Sequence, residues 1–189
     1  NYMSDGVKEK YPNVQFSQFM GAEMIAKKHG MAKEELDEFA YNSHKKAIAA
    51  TQAGAFENEI VPVAIEPPDG DDMHTVDEGI RFDASLDGIS GVKLIDPRGM
   101  VTAASASLIY EVNEAFAPVP MAWLKHTGAD PEKLNVHGGA IALGHPLGAS
   151  GTKLMATLVH GLKRHGKKYG LQTMCEGGGV ANVTIVESL

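Results

Sequence analysis

Residues 138–152 read Gly-Gly-Ala-Ile-Ala-Leu-Gly-His-Pro-Leu-Gly-Ala-Ser-Gly-Thr. Gly and Pro recur too often over residues 137–151 for a helix interior, so that segment predicts a loop. Helical spacing resumes from Thr152 to Arg164, with Leu154, Met155, Leu158 and Leu162 three and four residues apart. A glycine loop carrying a histidine therefore feeds a helix. Downstream, Leu171–Cys175 and Val180–Val186 are strand-like runs on either side of Glu176-Gly177-Gly178-Gly179, which predicts a hairpin. Upstream, Leu108–Val112 reads as a strand running into Asn113, Pro118–Lys125 as a short helix ended by Gly128, and Asp130 before Pro131 as a fresh helical start.

The first half of the chain has a different texture. Phe19, Met20, Ile25 and Ala26 are spaced for a helix between Ser17 and His29, stopped by Gly30. A second helix is predicted over Ala32–Ala53, where Leu36, Phe39, Ala40, Ser43, Ala47 and Ala50 form one stripe and most charges lie off it. Ile60–Ile65 predicts a strand closed by Pro67, Pro68, Asp69 and Gly70, with residues 66–84 as loop.

Composition sets the limits. The 189 residues are 43% hydrophobic but only 6% aromatic, with 21 glycines, which suits an α/β fold layered at close backbone approach. A net charge of −7 with scattered basic residues argues against a nucleic-acid surface, and the Lys163, Arg164, Lys167, Lys168 group reads as a solvated helix end. No run approaches the ~20 apolar residues of a membrane span, so no membrane partner is expected. One cysteine, Cys175, excludes a disulfide scaffold and fits a reducing, cytoplasmic setting.

Three segments place reactive side chains at element ends: Asn113-Glu114-Ala115-Phe116-Ala117, the 138–151 loop with His145, and Cys175-Glu176-Gly177-Gly178-Gly179. Singly, each has a plain alternative: Asn113 caps a helix, His145 satisfies a turn, Cys175 is a small buried residue. Competing chemistries fail on spacing. Lys153 follows Thr152 instead of preceding it, against a phosphate loop, and the surroundings of Ser150 do not form a nucleophile elbow. His137 and His145 lie across a glycine loop and Cys175 has no CxxC partner, so no metal site is expected.

Taken together and in this order, the three strings resemble the C-terminal signatures of the thiolase family, and residues 20–26, the paired helices and Glu59–Val63 resemble the loop domain that thiolases insert between two core halves. The resemblance implies an α/β, thiolase-type layered fold that is incomplete, its N-terminal core half absent from the sequence. Residues 1–100 would be the loop-domain portion and 101–189 the C-terminal core portion.

The implied function is acyl-CoA C-acyltransfer in fatty acid and lipid metabolism, by thiolytic cleavage of a 3-ketoacyl-CoA or Claisen condensation of acyl-CoA. Coenzyme A and acyl-CoA would be substrates, with no permanently bound cofactor, and the enzyme a homo-oligomer, dimer or tetramer. By the same resemblance His145 would activate a nucleophilic cysteine and Cys175 would be the acid and base at the α-carbon. Asn113, through a water, and His145 would form one oxyanion site, and the Gly177 N–H would contribute to a second. Ser107 would contact the pantetheine arm.

Two departures from the family pattern bear on this. The family's nucleophilic cysteine would lie upstream of Asn1, so this chain alone is expected to be inactive. The family pattern also implies that roughly fifty residues are skipped between Ser107 and Leu108, more than ordinary loop variation supplies. The alternative is a non-catalytic half-thiolase that binds acyl-CoA or supports an oligomer. Glu176 also differs from the small or apolar residue common after this cysteine.

Overall fold

The computed structural model describes residues 4–12, 17–65, 73–92, 111–177 and 180–189. A short helix α1 (Asp5–Lys10) precedes two longer ones, α2 (Gln18–Lys28) and α3 (Lys33–Gln52). Both long helices lie where the periodicity predicts, and glycine ends them: Gly30 and Gly54 take φ of +61° and +64°. In that left-handed conformation the chain reverses, so Met31 and Ala55 N–H groups bond back to the Ala26 and Ala50 carbonyls. The buried stripe of α3 is Leu36, Ala40, Ser43, Ala47 and Ala50, with Asp37 and His44 beside it.

After α3 the sequence expectation is only partly met. The strand predicted over Ile60–Ile65 is reduced to β1 (Val63–Ala64), paired antiparallel with β2 (Met73–His74), and both are exposed. A β-branched run with no buried face has nothing to extend it, since strand preference is mostly packing. β2 also falls inside the stretch expected to be loop. A short helix α4 (Leu86–Ser90), capped by the Ser85 hydroxyl, packs on α3.

The second half is α5 (Pro118–Thr127), a 3₁₀ turn (Pro131–Lys133), α6 (Ala140–Leu143), α7 (Ser150–Arg164), β3 (Tyr169–Glu176) and β4 (Val180–Glu187). The predicted hairpin is present, with Tyr169 opposite Glu187 and Glu176 opposite Val180. α7 lies on β3, and Gly170 permits the approach, since a Cβ there would sit 2.7 Å from Leu158. The helical restart after Asp130 amounts to the 3₁₀ turn alone. Of the strand predicted over Leu108–Val112, residues 108–110 lie outside the described residues, and Val112 forms an isolated parallel bridge to Thr173 on the edge of β3 away from β4. On β4, Val183 and Ile185 are 62% and 71% exposed.

One sequence expectation is overturned. The stretch 137–151 is not loop throughout, because it contains α6, a single helical turn with all four residues buried. Ala140 joins the apolar cluster of Val112, Leu134 and Leu154. Ile141 joins that of α2, α3 and Phe116, while Ala142 and Leu143 join that of Phe56 and Ile80. A helix buried on every side shows no amphipathic period, so the pattern that revealed α2 and α3 is missing here. Nor is the end of α7 merely solvated: Arg164 Nη2 donates to the Ala53 carbonyl at 2.8 Å, tethering α7 to the end of α3.

At that tether His137, 5% exposed, faces Phe56 and stands 3.3 Å, Nε2 to Nε2, from His165. Burial, with the His165 and Arg164 charges adding to it, pulls His137 down from 6.5 to about 4. An unfolded His137 takes up its proton as pH falls through 6.5, whereas the folded one resists until about 4. Stability is thus unaffected above the ordinary imidazole range, and about 3 kcal/mol is lost on acidification to pH 4. Thermal melts of wild type and His137→Phe between pH 7.5 and 4 check this: the variant should lose less over that interval, and parallel profiles would exclude His137 as the source.

Candidate active site

Asn113 and Cys175 are brought together by sheet pairing. The Asn113 N–H bonds to the Thr173 carbonyl at 2.7 Å, which sets Asn113 alongside the end of β3. Its side-chain Nδ2 then donates to the Cys175 carbonyl at 2.9 Å and reaches Cys175 Sγ at 3.5 Å. Asn113 is 3% exposed, and its Oδ1 has no hydrogen-bond partner among the described residues. It does not cap α5, whose N-cap position is Ala117.

Burial pushes the Cys175 thiol up. Backbone N–H groups of Ala115 and of Cys175 itself, together with the Asn113 amide, work against that rise, and the Glu176 carboxylate adds to it. No imidazole is hydrogen-bonded to this thiol among the described residues, and desolvation disfavours the thiolate. Since Cys175 is the chain's one thiol, its alkylation rate reports directly on its ionisation. The iodoacetamide rate of the wild type should reach half-maximum above the ordinary cysteine range. Asn113→Ala should move that midpoint higher still, by about half a pH unit to one, for loss of one hydrogen bond to the thiolate. An unchanged or lower midpoint would sink the assignment of that bond.

His145 follows α6 through Gly144, whose φ is +81°. It is half-buried, and burial lowers its pKa, so the ring is neutral at pH 7. Its Nδ1 is hydrogen-bonded to the Ser150 hydroxyl, which donates to the Pro146 carbonyl at 2.8 Å. Among the described residues no hydrogen bond joins His145 to Asn113 or Cys175. The link is indirect: Ser150 opens α7, and Gln172 on β3 donates to the neighbouring Gly151 carbonyl at 3.0 Å. Gly177 lies exposed in the turn after β3, and a Cβ there would meet nothing within 4 Å. Ser107, Gly178, Gly179 and the Ser107–Leu108 junction lie outside the described residues.

Two site-supporting residues escaped the sequence reading. Ser43 on α3 accepts the Gly139 N–H at 3.0 Å. Glu114, 0% exposed, accepts the Ile141 N–H through Oε2 at 3.0 Å. Glutamate beside Asn113 in an otherwise apolar string was the available signal for the latter. Elsewhere, a cleft of about 300 Å³ is lined by residues from Thr51, Gly54 and Phe56 to Val76 and Asp77, and contains none of these side chains. Among the described residues no group of three or more His, Cys, Asp or Glu could hold a metal, and no helix is long and apolar enough to cross a membrane.

Comparison with known families gives the same reading. The thiolase N-terminal domain matches residues 2–113, and the thiolase C-terminal domain matches residues 92–188. The chain belongs to the thiolase family. This thiolase chain is 39% identical to the steroid 3-ketoacyl-CoA thiolase FadA6 of Mycobacterium tuberculosis, covering 95% of the chain and 58% of that protein. It is 34% identical to an acetyl-CoA acetyltransferase of Cupriavidus necator, covering 97% and 63%. The fold matches human mitochondrial 3-ketoacyl-CoA thiolase with a TM-score of 0.83 at 29% identity, over 90% of this chain and 59% of that one. It matches the Bacillus anthracis acetyl-CoA acetyltransferase with 0.85 at 25% identity, over 100% and 65%. The architecture is thus a partial α/β thiolase fold. The chain spans about three fifths of these relatives' length, and its match to FadA6 runs over 243 aligned positions against 189 residues.

Proposed function

We propose that this thiolase chain is part of an acyl-CoA C-acyltransferase, one that cleaves 3-ketoacyl-CoA with coenzyme A or runs the reverse condensation. The observation that carries the reading is the Asn113 amide held on Cys175, with Oδ1 left as a buried acceptor. In that arrangement Oδ1 takes one hydrogen of a water, and the water's other hydrogen turns to the substrate thioester oxygen. Together with the His145 ring it stabilises the enolate. Cys175 moves the α-proton: in condensation its thiolate accepts the proton from acetyl-CoA, and in cleavage its thiol returns one to the departing carbon. The raised thiol suits the acid direction.

The scheme needs a second, nucleophilic thiol, and with one cysteine in the chain it comes from sequence outside these 189 residues. His145, neutral at pH 7, serves as its base. Gly177, exposed in the turn after β3, would offer its N–H to the acyl oxygen of the tetrahedral intermediate. The human mitochondrial 3-ketoacyl-CoA thiolase solved with CoA has this fold, which supports CoA and its thioesters as ligands. We divide the chain into a loop-domain portion at 1–100 and a core portion at 101–189. A missing segment between 107 and 108 would account for part of the excess of aligned positions.

The deciding experiment combines the mass of the parent polypeptide with an assay of CoA-dependent cleavage of short and medium 3-ketoacyl-CoA. A parent about twice this size that cleaves at least one substrate is expected. A parent of 20.1 kDa that binds acyl-CoA without turnover would instead establish the non-catalytic half-thiolase.

A further inference from the structure

We propose that Glu114 is a positioning residue for His145, holding the imidazole in register with Asn113. The proposal rests on the acyltransferase reading for its catalytic consequence, though not for its geometry. Successive side chains of an extended segment point to opposite sides. Asn113 turns toward Cys175, while the next residue, Glu114, turns the other way and accepts the Ile141 N–H at 3.0 Å. Thus two adjacent residues connect the thiol to α6.

The contact matters because of what α6 is. A helix leaves its first amides without internal partners. α6 has only four residues, and its N-cap, Gly139, has no side chain to serve them. Burying a carboxylate fully is costly unless it is hydrogen-bonded, so a glutamate at 0% exposure is held to a narrow set of donor positions. α6 ends at Leu143, and only Gly144 separates it from His145. The imidazole is therefore fixed from two sides: through α6 by Glu114, and through its own Nδ1 by Ser150 on α7. Of these two anchors, Glu114 is the one covalently next to Asn113.

Two substitutions separate reach from charge. Glu114→Gln keeps an acceptor oxygen at the same distance, whereas Glu114→Asp keeps the carboxylate but withdraws it by one methylene. The first readout is the titration of the His145 ring by proton NMR in the full-length protein, assigned against His145→Gln. The second is kcat and KM in the full-length enzyme. Glu114→Gln should match wild type in the His145 midpoint and lie within about threefold in kcat. Glu114→Asp should move the His145 midpoint up toward the ordinary imidazole value as burial relaxes, and lower kcat by about 10- to 100-fold with KM little changed, the scale expected for misplacing a catalytic group by about 1 Å. A wild-type titration in Glu114→Asp, equal impairment of both variants, or loss of the folded state in both would overturn the proposal. The titration does not depend on turnover. If it shifts as expected while the full-length protein lacks acyltransferase activity, the positioning role stands and the functional reading falls.

Discussion

Replacing Cys175 by Ala in the full-length enzyme is expected to leave acyl transfer to the nucleophile intact and to slow exchange of the α-protons of acetyl-CoA by about 100- to 10,000-fold, the contribution usual for a positioned acid or base. The physical reason is division of labour. A nucleophile and an α-carbon base act at different atoms and different times, and Cys175 stands beside Asn113, whose amide orients the thiol. Alanine removes the thiol while leaving the β3 backbone pairing and the Asn113 contact to the residue 175 carbonyl available. The measurement is loss of the methyl proton signal of acetyl-CoA in deuterated buffer, run beside formation of the acyl-enzyme detected by mass. Wild-type exchange in the variant would remove Cys175 from the second step. Loss of both activities would mean that it does not act in that step alone.

The second large effect concerns stability. Gly138→Ala is expected to destabilise the fold by about 3–5 kcal/mol, from a left-handed backbone penalty and overpacking together. Gly138 has φ of +79°, and a Cβ there would lie 2.7 Å from Ala47 Cβ, from the Ala47 nitrogen and from the Ser43 carbonyl oxygen. None of these is the mobile end of a long side chain, so α3 and the start of the 138–152 segment must separate. That also breaks the adjacent Ser43 to Gly139 hydrogen bond. Urea unfolding followed by circular dichroism checks the figure, and a loss below about 1 kcal/mol would show that the helix–loop contact is looser than described. Gly128→Ala is a suitable contrast: it shares the positive φ, at +67°, but a Cβ there meets nothing within 4 Å.

These two cases mark how much was legible from the chain alone. α2, α3 and α7 were readable because each buries one stripe, which writes a three-and-four period into the sequence, and because glycine stands where α2 and α3 reverse. The β3–β4 hairpin was readable from two β-rich runs around a glycine cluster. Ile60–Ile65 looked the same but lacked a partner face, and only β1 formed. α6 left no period because it is buried all round, and Glu114 stood out only as a carboxylate in an apolar string, a signal that does not name its partner on α6.

The residue types of the site, Asn113, His145 and Cys175, and the family to which their strings point, were determined by the sequence itself, since local order along the chain carries both. Only the tertiary structure decided that Asn113 meets Cys175 through pairing with β3. It also decided that His145 is held by Ser150 and not by the thiol, and that burial raises Cys175 and lowers His145. Contacts between residues 62 positions apart, and the loss of water around them, depend on how separate elements stack. Local preference along a chain does not encode desolvation, which comes from neighbours supplied by the rest of the fold.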